Sequence, residues 1–291
     1  MKHVNFVAEI SANHLGSLSR AHQLVQAASR VGANSIKLQT YKAETMTLNL
    51  SKFRVSSDHN LWGGVNLYQL YEEAMTPWEW HKELFLHASE LGIEAFSSPF
   101  DRGAVDFLEE LNCPIYKIAS LETGDVDLIS YAASTGKRMI ISTGASTLEE
   151  IERAVEAAEL VRDKLTLLVC TSSYPAHPAD AHVNRITTLR EKFNVDVGLS
   201  DHTRGTASVL ASVTLGAKII ERHFTDDSSR EGPDHKFATN PAEWAVMVEE
   251  TRRVELALGS YQKFIADNEG MSSVVQRRCL RASRDMTRGT V

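Results

Sequence analysis

Residues 195–224, VDVGLSDHTRGTASVLASVTLGAKIIERHF, contain one complete repeat of the pattern that decides the fold. The run 195–201 (VDVGLSD) is short and apolar with β-branched residues, so it reads as a strand, and 217–224 (AKIIERHF) reads the same way. The stretch between them has helical periodicity and stops at Gly216, a helix terminator. Working outward, further strands are expected at 4–11 (VNFVAEIS), 35–41 (SIKLQTY), 94–99 (EAFSSP), 115–120 (IYKIAS), 138–143 (RMIIST) and 165–172 (LTLLVCTS). That makes eight. Amphipathic stretches separate them, such as Leu18, Ala21, Leu24, Val25 and Ala28, or Ile151, Ala154, Val155 and Ala158, with apolar residues three and four apart. Helix starts are expected at Ser17, Thr76, Asp101, Ser146 and Asn240, and helix ends at Gly32, Gly92, Gly136, Gly216 and Gly259.

Strands this apolar cannot face water on one side, so they specify a parallel sheet covered by helices. The expected closure is an α/β fold, the (β/α)8 TIM barrel, over residues 1–259. An open doubly wound sheet is the alternative, but Asn13-His14-Leu15-Gly16 after the first strand lacks the GxGxxG spacing. The connection 42–75 is longer than an ordinary βα loop and is expected to cover the catalytic face.

Composition removes several function classes. Lys+Arg number 31 against Asp+Glu 38, a net charge of −7, and no long basic block exists, so nucleic acid is not an expected partner. No apolar run approaches the roughly 18 residues that cross a bilayer, and Glu9 interrupts what a signal peptide would need. A cytoplasmic protein with no membrane partner is expected. Cys113, Cys170 and Cys279 are odd in number and lack CxxC spacing, so they are read as reduced and structural.

In such barrels the site lies at the carboxyl ends of the strands. Those ends carry Glu9, Asn13 and His14; Lys37 and Gln39; Ser97 and Ser98; Lys117 and Ser120; Ser142 and Thr143; Thr171 and Ser172; Ser200, Asp201 and His202; Glu221 and His223. Pairs two apart, Lys37 with Gln39, Ser200 with His202, and Glu221 with His223, share a strand face. Two lysines at one barrel mouth suggest an anionic ligand, with Ser98, Ser120 and Ser142 as neutral donors. His202 and His223 end neighbouring strands and could share one divalent metal with open positions for water or substrate. Of the other histidines, His22, His81, His87 and His182 fall in helical patterns.

The residues also resemble a known family, the sialic acid synthases, which condense phosphoenolpyruvate with an N-acetylated amino sugar. The matching blocks run along the chain in order: Ala8-Glu9-Ile10, Lys37-Leu38-Gln39-Thr40, Tyr116-Lys117-Ile118-Ala119-Ser120, Ser142-Thr143-Gly144, Cys170-Thr171-Ser172-Ser173-Tyr174-Pro175, Gly198-Leu199-Ser200-Asp201-His202-Thr203, Glu221-Arg222-His223-Phe224-Thr225 and Gly232-Pro233-Asp234. Thr45-Met46-Thr47-Leu48-Asn49, Leu61-Trp62 and Thr76-Pro77-Trp78 are most similar to its pseudaminic acid synthase branch. That resemblance implies a transferase acting on 2,4-diacetamido-2,4,6-trideoxy-L-altrose, with neuraminate and legionaminate synthases as alternatives. It implies that Lys37, Ser98, Lys117, Ser120, Ser142, Ser172 and Ser200 hold phosphoenolpyruvate. His202 and His223 would bind the metal, manganese with magnesium or cobalt as substitutes, and Glu9, Gln39, Tyr174, Glu221 and Asp234 would serve the sugar and water side. Either Glu9 or Glu221 would manage protons if burial raised its pKa.

Two features depart from the family pattern. Leu15 stands where a polar residue is common, and residues 260–291 resemble only a linker and the first strand, near 277–289, of the family's C-terminal antifreeze-like domain. In the family that domain completes the partner subunit's site, which implies a homodimer. The rival readings are a Schiff-base aldolase using Lys37 or Lys117, and an inactive binder of the sugar or phosphoenolpyruvate.

Overall fold

The computed structural model describes residues 3–56 and 61–290, so residues 57–60 of the expected long loop lie outside the described residues. Eight parallel strands close a barrel in chain order. They are β1 (Asn5–Glu9), β2 (Ser35–Thr40), β3 (Glu94–Pro99), β4 (Ile115–Ile118), β5 (Arg138–Ser142), β6 (Leu165–Cys170), β7 (Asp196–Ser200) and β8 (Ile219–His223). The register sets Glu9 opposite both Lys37 and His223, and Ser200 opposite both Cys170 and Glu221. One layer of the barrel is therefore polar. Close strand approach at β7 depends on Gly198, where a Cβ would collide with the Ile219 carbonyl oxygen.

The helices between strands are α1 (Leu18–Arg30), α4 (His81–Glu90), α5 (Arg102–Glu110), α6 (Val126–Ser134), α7 (Leu148–Ala157), α8 (Arg185–Phe193), α9 (Ala207–Thr214) and α10 (Pro241–Leu258), with two more, α2 and α3, described below. Ser17 and Asp101 cap α1 and α5 by accepting from the Arg20 and Ala104 amides. α7 starts one residue later than expected, because Thr147 rather than Ser146 forms a capping box with Glu150. His182 is not helical: it has φ +43° ahead of α8. The apolar faces of the helices pack on the outside of the barrel. Trp244 of α10 sets its edge against Phe6 and Phe224, with ring centroids 6.3 and 5.4 Å away, and all three are fully buried. Burying a side chain of the Leu or Phe class contributes about 1.5–3 kcal/mol.

The described residues of the 42–75 connection include two helices and a β-bridge. The helices are α2 (Ala43–Met46) and α3 (Leu67–Ala74), and the bridge joins Arg54 and Asn66. The cause is local: the Asn66 side chain accepts from the amides of Tyr68 and Gln69 and caps α3.

By contacts the chain divides into Met1–Ala257 and Leu258–Val291. The second unit contains one short helix, α11 (Gly270–Val275), and among its described residues no strand. The strand expected at 277–289 is not formed. Its residues are exposed and have no neighbouring strand to take their backbone hydrogen bonds, without which a single strand is not stable. Among the described residues, no helix is long and apolar enough to cross a membrane.

Candidate active site

The carboxyl ends of the strands surround a cavity of about 250 Å³. Its floor is a ring of buried charge. Lys37 forms an ion pair with Glu9 and lies 3.8 Å from Glu221 Oε1, while Lys117 Nζ lies 3.3 Å from the same oxygen. Glu9 also accepts from the Ser11 amide at 2.7 Å, and Ser200 donates to Glu221 at 3.1 Å. Taking four charges out of water is costly unless each meets a partner of opposite sign. Glu9 ends β1, and alternation along β2, β4 and β8 brings the other three charges toward it; of the four, Glu9 does not itself line the cavity.

The charges decide protonation. Burial alone would push the Glu221 carboxyl up, but Lys117, Lys37 and His223 outweigh it and hold the group at about 2. The condition set for Glu221 as a proton carrier is therefore not met, because the two cations prevail over desolvation. Lys37 is likewise held above the usual lysine range: burial opposes its charge, and Glu221 with Glu9 overcomes it. A lysine held as ammonium is not a Schiff-base nucleophile.

The second feature is a cradle of small donors. Gly144 follows β5, and its amide donates to Ser120 Oγ at 3.1 Å. A Cβ at Gly144 would lie 2.5 Å from Ser172 Oγ, 2.9 Å from Ser120 Oγ and 3.1 Å from Cys170 Sγ. The missing side chain leaves room for a ligand oxygen between two hydroxyls. Ser120, Ser172 and Ser200 line the cavity, but Ser98 and Ser142 do not. Ser98 lies behind Lys37 and accepts from its ammonium at 3.3 Å, whereas Ser142 is fully buried with an unpartnered hydroxyl.

The third feature is the imidazole pair. His202 and His223 have ring centroids 5.5 Å apart and both line the cavity. His202 Nδ1 lies 2.8 Å from the Thr171 carbonyl oxygen. As donor to that oxygen, Nδ1 carries a proton and Nε2 is the nitrogen a metal would take, in competition with a proton, because burial lowers the imidazole but Cys170 and Thr171 raise it overall. His223 Nδ1 is buried without a hydrogen-bond partner, 3.5 Å from Asp234 Oδ2. Among the described residues no three His, Cys, Asp or Glu side chains are grouped to hold a metal. Tyr174 covers the imidazole pair, with its ring 4.3 Å from His202 and 5.9 Å from His223, and Trp62 packs on Tyr174 at 6.0 Å. Gln39 and Asp234 also line the cavity. His14 does not join it: His14 is buried against Thr76, 3.2 Å away.

Two cavity residues escaped the sequence reading. Glu122, two residues past Ser120, has a buried and unpartnered Oε2, and burial raises its carboxyl against the opposing charge of Lys117. Its exposed-looking position beside Leu121 offered no periodic signal. Cys170 is a cavity residue rather than a purely structural one; burial would raise its thiol, but His202, Ser120 and Lys117 bring it down to about 7. Cys113 is buried structure, and Cys279 is exposed.

Known proteins resemble this chain in sequence and in fold. A pseudaminic acid synthase from Campylobacter jejuni subsp. jejuni serotype O:23/36 (strain 81-176) is 41% identical over 100% of this chain and 84% of its own. One from Helicobacter pylori (strain ATCC 700392 / 26695) is 44% identical over 87% of this chain and 75% of its own. The crystal structure of an N-acetylneuraminic acid (sialic acid) synthetase from Leptospira borgpetersenii serovar Hardjo-bovis superposes with a TM-score of 0.84 at 30% identity, covering 95% of this chain and 94% of that one. Residues 24–263 match the model of the NeuB family, and with the barrel, the charged floor and these relatives the chain belongs to that family.

Proposed function

We propose that this chain is a pseudaminic acid synthase, which condenses phosphoenolpyruvate with 2,4-diacetamido-2,4,6-trideoxy-L-altrose and water and releases phosphate. The observation that carries the reading is two buried lysines and two imidazoles converging on one barrel mouth, beside a cradle of serine hydroxyls. The identity to synthases of that name supports the choice of sugar.

Lys37 and Lys117 would meet the negative charge of phosphoenolpyruvate, and Ser120, Ser172, Ser200 and the Gly144 cradle would orient its oxygens. Ser98 would act by holding Lys37. Glu221 stays ionised against the lysines, and together with Glu9 it fixes where their ammonium groups point. His202 and His223 would hold a divalent metal, manganese first, with magnesium or cobalt as substitutes. When bound, that metal supplies Lewis-acid polarisation of the sugar's open-chain aldehyde. The enol carbon of phosphoenolpyruvate then forms the new C–C bond, water adds at the former C–O carbon, and phosphate leaves by C–O cleavage. Glu122, raised by burial and unpartnered at one oxygen, is suited to carry the proton exchanged in these steps. Tyr174 and Trp62 would exclude water above the reacting atoms. A homodimer is inferred from the family pattern.

The test is phosphate release from phosphoenolpyruvate with manganese, comparing the diacetamido-trideoxy-altrose with N-acetylmannosamine, each with and without chelator. Release confined to the altrose sugar and abolished by chelator is the expected outcome. Release with N-acetylmannosamine instead would move the chain to the neuraminate branch, and ligand-dependent stabilisation without release would favour the inactive binder.

A further inference from the structure

Helix α3 carries Leu67, Leu70, Tyr71 and Ala74 on one face, spaced i, i+3, i+4 and i+7. Such a stripe normally packs into a core. None of these residues is buried by protein, yet all four line the cavity together with Met46 of α2. The stripe is aimed rather than loose. Asn66 caps α3 and donates to the Leu50 carbonyl at 3.2 Å, the Leu67 amide donates to Phe53 O at 3.0 Å, and Tyr71 packs on Tyr41, 5.8 Å between centroids. Tyr41 in turn packs on Phe100 at 5.3 Å and accepts from Trp78 Nε1. Lys37, Lys117, Glu221 and Glu122 line the same cavity. The cavity thus has both a charged and an apolar lining, and the half-buried side chains of Met46, Leu67, Leu70 and Ala74 supply part of the apolar one.

We infer that Met46, Leu67, Leu70 and Ala74 form the acceptor-specificity wall, seating the C6 methyl group and an acetamido methyl of a 6-deoxy, N-acetylated sugar. The inference rests on the proposed reading and goes further, because it names what selects the acceptor. A hydroxyl at C6 would meet side chains that offer no hydrogen bond, and a phosphate there would be desolvated without a counter-charge. A wall of this kind discriminates one substituent by about 10- to 100-fold in kcat/KM, since an apolar pocket rejects an added hydroxyl only moderately.

The experiment compares kcat/KM for phosphate release with 2,4-diacetamido-2,4,6-trideoxy-L-altrose and with its 6-hydroxy counterpart, in the unaltered chain, Leu70→Asn, Met46→Gln and the conservative Leu70→Met. Thermal stabilisation by phosphoenolpyruvate checks that each variant retains the barrel. The unaltered chain and Leu70→Met should favour the 6-deoxy sugar by at least about 10-fold. Leu70→Asn or Met46→Gln should bring the ratio toward unity, chiefly through KM for the sugar. Because the two variants sit on separate helices, failure of one to fold leaves the other to decide. Equal use of both sugars by the unaltered chain, or an unchanged ratio in a folded variant, overturns the wall while the proposed reaction stands. No phosphate release with either sugar overturns the reaction, and the wall falls with it.

Discussion

Lys117 Nζ lies 3.3 Å from Glu221 Oε1, and that one oxygen also faces Lys37 at 3.8 Å and accepts from Ser200 at 3.1 Å. Glu221 thereby faces both buried cations at the base of the cavity, while Glu9 also pairs with Lys37. Replacing Glu221 by Gln removes the charge and keeps the shape, so Lys117 loses the carboxylate it pairs with and Lys37 is left with Glu9 alone. Breaking a buried pair in this way costs on the order of 3–5 kcal/mol. At about 2–4 °C per kcal/mol for a domain of this size, the melting temperature at pH 7 should fall by roughly 6–20 °C. Phosphoenolpyruvate, bringing anionic oxygens to the same lysines, should restore more stability to Glu221→Gln than to the unaltered chain. Equal stabilisation of both in a thermal melt would show that the ligand does not meet these lysines.

Gly144 tests the cradle. Gly144→Ala places a methyl 2.5 Å from Ser172 Oγ and 2.9 Å from Ser120 Oγ, so the hydroxyls must turn away. The backbone there has no positive φ, so the fold should tolerate the change. KM for phosphoenolpyruvate should rise about tenfold or more, the loss of roughly one good hydrogen bond to a charged group, while the circular dichroism spectrum stays the same. An unaltered KM would remove the cradle from the binding site.

Glu122→Gln should lower kcat by about 10²- to 10⁴-fold, the usual contribution of a positioned acid or base, with phosphoenolpyruvate binding retained. Burial raises the Glu122 carboxyl, so the kcat profile of the unaltered chain should show a limb above the ordinary carboxylate range. That limb should vanish in the variant. If it persists, the proton is carried elsewhere.

Stability should respond to His14 and His81. Both are fully buried, and burial holds each at about 4. His81 Nε2 lies 2.8 Å from Thr40 Oγ1, which is 2.7 Å from Ser97 Oγ, and His14 lies beside Thr76 at the root of the 42–75 lid. The unfolded chain takes up protons on these rings below about 6.5, where the folded chain leaves them neutral. Their contribution is therefore fully present above that pH and is lost as pH falls toward 4, by up to a few kcal/mol per ring. Urea denaturation between pH 7 and 4 should show this slope, and His81→Gln should reduce it. An identical slope in the variant would assign the effect to other groups.

Strand positions, the β/α alternation and the face shared by Lys37 and Gln39, or by Glu221 and His223, were legible along the chain. They depend on a period of two and on a register that the barrel only repeats. His202 and His223 could be paired because neighbouring strands end together. Other features depend on distances across the barrel, which sequence spacing does not encode. In sequence a proton role for Glu9 or Glu221 is conditional on burial raising its carboxyl, and only the convergence of Lys117 from β4 and Lys37 from β2 shows that at Glu221 the cations prevail. Gly144 acquires meaning from Ser120 and Ser172 on other strands, and Glu122 from the burial of one oxygen. In sequence the 42–75 connection reads as a long loop over the catalytic face, with no role assigned to the stripe on α3. Tertiary structure instead turns it toward a cavity, because Asn66 and the Phe53 carbonyl set the helix direction. Local periodicity thus determined which residues share a face. Long-range packing decided what each face meets, because charge, burial and the size of a cavity are properties of the space between elements.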